Sequence, residues 1–396
     1  MSELITGIAE LLTNNPDHPR ITDAAIVIDG ERIAWVGQAK AAPATDSRTD
    51  VAGRAVLPGW VDSHSHLVFA GDRSAEFEAR MAGEPYAAGG IGVTTAATRA
   101  ASDDELTHLV TQRVAEAHAG GTTYLETKTG YGLDVEQEAR AARIAANAVD
   151  EVTYLGAHLI PPGPDGRPMD ADTYIDLVTG PMLQAVRPYV QWADVFCEEG
   201  AFTVEQSRHI LTACKNAGLG LRVHGNQIGH SGGVALAVEM GAASVDHCNY
   251  LDDNDINALA ATETVATALP ACDLSTRAPL VPARRLLDAG VTMAIATNCN
   301  PGTSYTSSMN FCVGVAVLQM GMTILEAVRA ATWGGARALR RETGTDTCPA
   351  IGSIIPGARA DLHVLDAPAA IHLAYRPGMP LTWGVWRAGA RVHSNR

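Results

Sequence analysis

Near the start of the chain, Ala25-Ile26-Val27-Ile28 and Ile33-Ala34-Trp35-Val36 flank Asp29-Gly30-Glu31, and apolar runs joined by such a turn predict an antiparallel hairpin. The same character returns at the other end, where residues 353–357, 361–365, 383–386 and 390–392 read as short strands. We expect the two ends to build one small domain together. Between them short apolar runs alternate with longer helical patterns, the rhythm of a parallel sheet with crossover helices. Strands are predicted to begin near Val56, Thr122, Val152, Ala193, Leu219, Ser244, Thr264 and Val291. That makes eight, the number that closes a (β/α)8 barrel.

Helix signals agree with this division. Ser102-Asp103-Asp104-Glu105 and Thr203-Val204-Glu205-Gln206 have the form of capping boxes, and Gly120-Gly121 and Gly218 fall where the same helices should stop. The stretch 68–101 is too long for an ordinary connection and too rich in glycine for one helix, so it is expected to be a functional loop with partial helical content. The resulting division places a small β-sandwich domain in residues 1–56 and 350–396 and an α/β barrel in residues 57–349.

Composition narrows the class. Of 396 residues 46% are apolar and only 18% charged, which excludes intrinsic disorder. A formal charge of -15 repels a phosphate backbone, so nucleic acid is an unlikely partner on composition, and an anionic ligand would need its own local Arg or Lys. Residues 1–12 lack the pattern of a signal peptide and no apolar run is long enough to span a bilayer, so the chain is expected to be cytoplasmic with no membrane partner. Cys197, Cys214, Cys248, Cys272, Cys299, Cys312 and Cys348 are scattered and odd in number, and are expected to be free thiols.

In a barrel, chemistry belongs at the C-terminal ends of the strands. The first strand ends in Ser63-His64-Ser65-His66, and period two puts both imidazoles on one face, close enough to share a metal ion. The fifth strand runs straight into His224 and the sixth into His247. At the end of the eighth comes Asn298, followed by Cys299-Asn300-Pro301-Gly302-Thr303-Ser304, where a carboxylate would complete a mononuclear site.

This arrangement resembles the amidohydrolase superfamily, whose barrels draw histidines from the first, fifth and often sixth strands and an Asp from the eighth. The terminal β segments also match its small accessory domain. Longer motifs are similar to the imidazolonepropionase family: residues 57–73, Lys128-Thr129-Gly130-Tyr131-Gly132-Leu133, Leu155-Gly156-Ala157-His158, Asp194-Val195-Phe196-Cys197-Glu198 and Asn300-Pro301-Gly302-Thr303. The resemblance implies hydrolysis of 4-imidazolone-5-propanoate to N-formimidoyl-L-glutamate in histidine degradation, by a homodimer with one zinc or iron ion per subunit. It implies that His64, His66 and His224 bind the metal, with Asn298 at the fourth position. Arg73, Tyr131, His158, Gln227, Asn300, Gly302 and Thr303 would contact the substrate, and His247 would support catalysis. Gln227 would also hold the ring in register.

The residues alone leave alternatives. Arg73 could serve the propanoate arm as a bidentate partner or stand in a surface salt bridge. Tyr131 could be a packed turn tyrosine and His158 a satisfied core histidine. Asn298 departs from the family pattern, since a carboxamide is no general base, and the loss of a positioned base typically removes 10²–10⁴ of rate. A weak or inactive enzyme is expected unless another group substitutes, with His247 the first candidate. Gly225-Asn226-Gln227 and Cys248-Asn249-Tyr250 also stand where many relatives carry acidic residues. The competing readings are another amidohydrolase, such as an aromatic-base deaminase or a different cyclic-amide hydrolase, and a degenerate binding protein for a histidine catabolite.

Overall fold

The alternating N-terminal segment forms four strands, β1 (Ser2–Leu12), β2 (Arg20–Asp29), β3 (Arg32–Gln38) and β4 (Ser47–Pro58). The computed structural model describes residues 1–83, 90–163, 167, 169–345 and 348–394. Barrel strands follow as β5 (Trp60–Asp62), β6 (Thr122–Lys128), β7 (Glu151–Ala157), β8 (Trp192–Cys197), β9 (Gly220–Gly225), β10 (Ser244–His247), β11 (Val265–Ala268) and β12 (Met293–Ile295). The chain ends in β13 (Leu362–Leu365), β14 (Thr382–Arg387) and β15 (Ala390–Ser394).

Both chain ends meet in one seven-stranded sheet of order β15-β14-β13-β4-β1-β2-β3. Its own core gathers Ile5, Ile26, Ile28, Val56, Leu362 and Trp386. Two local expectations are corrected. Val56 and Leu57 belong to this sheet, paired with Val364 and His363, and the barrel strand starts only at Trp60. Pro58 has no N–H to continue the ladder, and the chain changes sheets across Gly59. Residues 353–357 form turns instead of a strand, because Gly352 and Gly357 take positive φ of 78° and 89° on either side of Pro356.

The eight parallel strands pair in chain order from β5 to β12. The first and last then meet at their C-terminal ends. Ser65 bridges Cys299, His66 N–H donates to the Cys299 carbonyl at 2.9 Å, and Asn298 N–H donates to the His64 carbonyl at 2.9 Å. Beneath them, buried Asp62 accepts the Thr297 N–H at 3.0 Å. The seam therefore closes at the residues that carry the chemistry.

Stretch 68–101 contains α1 (Ser74–Met81) and α2 (Ile91–Ala100), with residues 84–89 outside those described. Then come α3 (Asp103–Ala119), capped by Ser102 through the Glu105 N–H, and α4 (Val135–Ala146), capped by Asp134. Thr203 and Gln206 form the reciprocal capping box of helix Val204–Asn216. Among the described residues no helix is long and apolar enough to cross a membrane. Cys348 is exposed and the other six thiols are buried.

Candidate active site

Charged side chains enter the barrel where apolar ones would ordinarily fill it. Glu126, Lys128, Asp194, Arg222 and Asp246 are all fully or almost fully buried. Lys128 Nζ lies 3.0 Å from Glu126, 3.1 Å from Asp194 and 3.8 Å from Asp246. Arg222 lies 3.4 Å from Asp246 and donates to the Ser63 carbonyl at 2.6 Å. Three carboxylates thus face two cations. Buried charges are tolerated only when paired in this way, and the layer retains one surplus negative charge.

On this layer stand the strand-end histidines. Ring nitrogens of His64, His66 and His224 lie within 4.8 Å of one another. His64 Nδ1 meets Asp246 at 2.7 Å, and His224 Nδ1 meets Asp194 at 3.0 Å. The Asp246 bond fixes the His64 ring so that Nε2 points away, the arrangement that usually orients metal-bound imidazoles, while His224 Nδ1 lies within ion-pair reach of Asp194 without hydrogen-bond geometry. His64 Nε2 and His66 Nε2 approach to 3.3 Å. Burial, reinforced by Lys128, pushes the His64 pKa down to about 3, and burial with the neighbouring His64 and His224 holds His66 well below the usual range. Burial by itself would raise Asp194 and Asp246. His224 and Lys128 hold the first below its usual value, and Arg222 and His64 hold the second there. Three convergent ring nitrogens over a surplus negative charge fit a divalent cation.

A small pocket opens above them, and His66, His224, Arg73, Tyr131, His158, Gln227, His247, Asn298, Asn300 and Thr303 line it, with Ile91 and Phe196 as apolar walls. His64 lies beneath it and Gly302 beside it, so the structure brings the whole predicted set to one place. His158 meets the Gly130 carbonyl through Nδ1 at 2.9 Å and stacks on His66 at 5.6 Å. Burial and the nearby His224 lower its pKa to about 4, so it faces the pocket as a neutral ring. Tyr131 packs against both imidazoles, 6.1 Å from His66 and 5.5 Å from His158 between centroids.

The turn that carries Tyr131 is held by a residue the sequence reading passed over. Buried Glu138 accepts the N–H groups of Gly130, Gly132 and Leu133 at 2.7–3.2 Å. Gly130 takes a φ of 113°, a conformation that favours glycine.

Arg73 is almost fully buried. Glu76 binds its guanidinium in bidentate fashion, Nε at 2.8 Å and Nη2 at 2.7 Å. Nη1 lies against Gly302, where a Cβ would come within 2.2 Å of it. Arg80 donates to the Gly302 carbonyl at 2.9 Å and lies 4.0 Å from the same Glu76, so two cations share one carboxylate. Asn300 spends its side chain inside its own loop: Oδ1 accepts the N–H groups of Gly302 and Thr303 at 2.8 Å each, and Nδ2 donates to Thr303 Oγ1 at 2.9 Å. Gln227 is anchored through its backbone N–H to Glu198, leaving the side chain at the pocket wall. None of the described residues lining the pocket is a carboxylate.

Sequence reading missed Glu76 and Glu138 as individuals, and also the carboxylates behind the histidines. The available signal for Asp194 and Asp246 was a charge inside an otherwise apolar barrel strand. For Glu76 and Glu138 there was none, since an acidic residue on an amphipathic helix ordinarily faces water.

The model of the amidohydrolase family matches residues 55–388. The chain is 66% identical to the imidazolonepropionase of Arthrobacter sp. (strain FB24), over 99% of this chain and all of that protein. It is 67% identical to the imidazolonepropionase of Paenarthrobacter aurescens (strain TC1), over 99% of this chain and 98% of that one. Among solved structures it is similar to atrazine chlorohydrolase TrzN from Arthrobacter aurescens TC1 complexed with zinc, with TM-score 0.72, 19% identity, and 99% and 95% of the two chains covered. An adenosine deaminase from Xanthomonas campestris with bound zinc gives TM-score 0.71 at 18% identity, covering 98% and 92%.

Proposed function

Because the chain belongs to the amidohydrolase family, and within it to the imidazolonepropionases, we propose that this pocket adds water across the cyclic amide C–N bond of 4-imidazolone-5-propanoate and releases N-formimidoyl-L-glutamate. The carrying observation is the pairing of two features in one pocket: three convergent imidazoles at its base, two of them faced by carboxylates, and a buried guanidinium in its wall.

His64, His66 and His224 would hold one zinc or iron ion per subunit, with Asn298 as the eighth-strand neighbour. Such an ion supplies an activated water, with its pKa lowered toward ~7, and polarises a carbonyl oxygen. Asp246 keeps the His64 tautomer that presents a free nitrogen lone pair, and Asp194 sits against His224 Nδ1. Arg73 meets the propanoate, with Glu76 holding the guanidinium plane in place. Tyr131 and His158 flank the ring, and Gln227 and Thr303 offer it hydrogen bonds. Asn300 and Gly302 shape the loop that seats Arg73. His247 stands beside the reacting carbonyl and, with no carboxylate on the eighth strand, takes the proton of the attacking water. The substrate is a small anion, and we read the functional unit as a homodimer.

Hydrolysis of imidazolonepropanoate by the metal-loaded protein tests this reading, with metal content measured on the same sample. His66→Ala and His224→Ala should each lose the metal and, with it, nearly all of kcat/KM. Metal-replete protein that binds the compound without turnover would instead support a catabolite-binding role, the reading that Asn298 favours.

A further inference from the structure

Asn298 leaves the pocket without a carboxylate of its own, and the structure supplies one just beyond its wall. Asp273 stands on the short helix Pro270–Thr276 that follows β11, at the same end of the barrel. It is 1% exposed, and the Asn249 side chain and Val281 N–H hold it from behind. His247, Cys272 and Asp273 each bring one donor atom within 4.8 Å of the other two. Two atoms in this group are buried with no hydrogen-bond partner, His247 Nδ1 and Asp273 Oδ2. A buried polar atom left unpaired is destabilising, so each is the natural partner of the other. Cys272 is engaged elsewhere, with its thiol against Thr303 and Asn298.

We propose that Asp273 is the carboxylate partner of His247, receiving the Nδ1 proton in a hydrogen bond and so directing Nε2 into the pocket. A histidine tied in this way keeps one tautomer and one orientation, as carboxylate-backed imidazoles do in other hydrolytic sites. Asp273 acts through His247 and is a positioning residue. Burial pushes the Asp273 pKa up to about 8, and the Nδ1–H of His247 would hold the ionised form that the pair requires. The inference rests on the hydrolase reading of the pocket, with His247 at the reacting end.

The test compares metal-loaded wild type with Asp273→Asn, Asp273→Glu, His247→Gln and the Asp273→Asn/His247→Gln double variant on imidazolonepropanoate. We expect Asp273→Asn to lower kcat about 10–100-fold with KM and metal content within twofold of wild type, and Asp273→Glu to recover part of the loss. The double variant should be no slower than His247→Gln alone. A kcat for Asp273→Asn within twofold of wild type would overturn the proposal, as would a double variant that multiplies the two losses. A second metal equivalent lost in both Asp273→Asn and Cys272→Ser would also overturn it and make the cluster a metal site. Histidine-labelled wild type gives a readout independent of turnover and of any variant's folding. A downfield Nδ1–H resonance of His247 supports the pair, and its absence excludes it, even if the wild type fails to hydrolyse the substrate and the functional reading falls.

Discussion

In a chain of net charge -15, an anionic ligand gains nothing at long range, so its affinity depends on contacts within the pocket. Arg73 is placed for that contact, with two of its nitrogens already committed to Glu76. Arg73→Lys keeps the charge but loses the planar fork, and KM for imidazolonepropanoate should rise about tenfold or more with kcat changed much less. Steady-state kinetics separate this from a surface salt bridge, whose loss would move neither constant. Gly302→Ala should reproduce the same KM defect without touching the charge, since the new methyl group meets Nη1. Asn298 sits at a φ of 51°, a left-handed conformation that Asn and Asp both tolerate. If Asp273 serves His247, Asn298→Asp changes kcat by less than about threefold, and a gain of an order of magnitude would return the limiting defect to Asn298.

At the scale of elements, the turn from Gly130 to Leu133 is rigid because one buried carboxylate collects its N–H groups. Glu138→Gln removes the charge from those bonds and leaves an amide N–H₂ facing three donors. Stability should fall by about 2–4 kcal/mol in chemical denaturation, and KM should rise as Tyr131 loses its footing. The eight barrel strands were legible because fully buried strands read as apolar runs between helical patterns, and His64, His66, His224 and His247 because they end those runs. Gly130 and Gly132 hinted at a special turn, but the sequence could not name Glu138 as its anchor: helix periodicity says which face is polar, not whether that face meets water or a loop. Residues 353–357 misled for a related reason. Ile354 is apolar because it is buried in the terminal sheet's core, and glycines on either side of it bend the chain away from any ladder.

The molecule as a whole carries several imidazoles that folding keeps neutral. His64 and His363 are pushed down to about 3 and His158 to about 4, in each case chiefly by burial. The unfolded chain takes up protons at these positions once pH drops below about 6.5, whereas the folded chain does so only near 3–4. Stability is therefore full above pH 6.5 and declines as pH falls toward those values. Between pH 7.5 and 5.5 the three together should cost about 4 kcal/mol in the metal-free protein, offset in part by Asp62 and Asp273, whose buried carboxyls are pushed up to about 6 and 8 and take up protons in the folded state over that range. His363→Gln isolates one ring: by urea unfolding its pH dependence should be smaller than that of wild type by about 1.4 kcal/mol, and an identical pH dependence would mean that the His363 ring is protonated in the folded state. Composition and charge reached this scale only as exclusions, and the joining of the two chain ends was legible because both carry the same strand rhythm.

The closing of the barrel between Ser65 and Cys299 also sets an order of assembly. During synthesis His64, His66 and His224 leave the ribosome well before Asn298, and β4 waits longer still for β13 at Leu362. Pairings so distant in sequence form late. Until those pairings form, the three imidazoles would stand in an unsealed cylinder, so a metal ion held by them would be retained only once β12 and β13 have closed the two sheets.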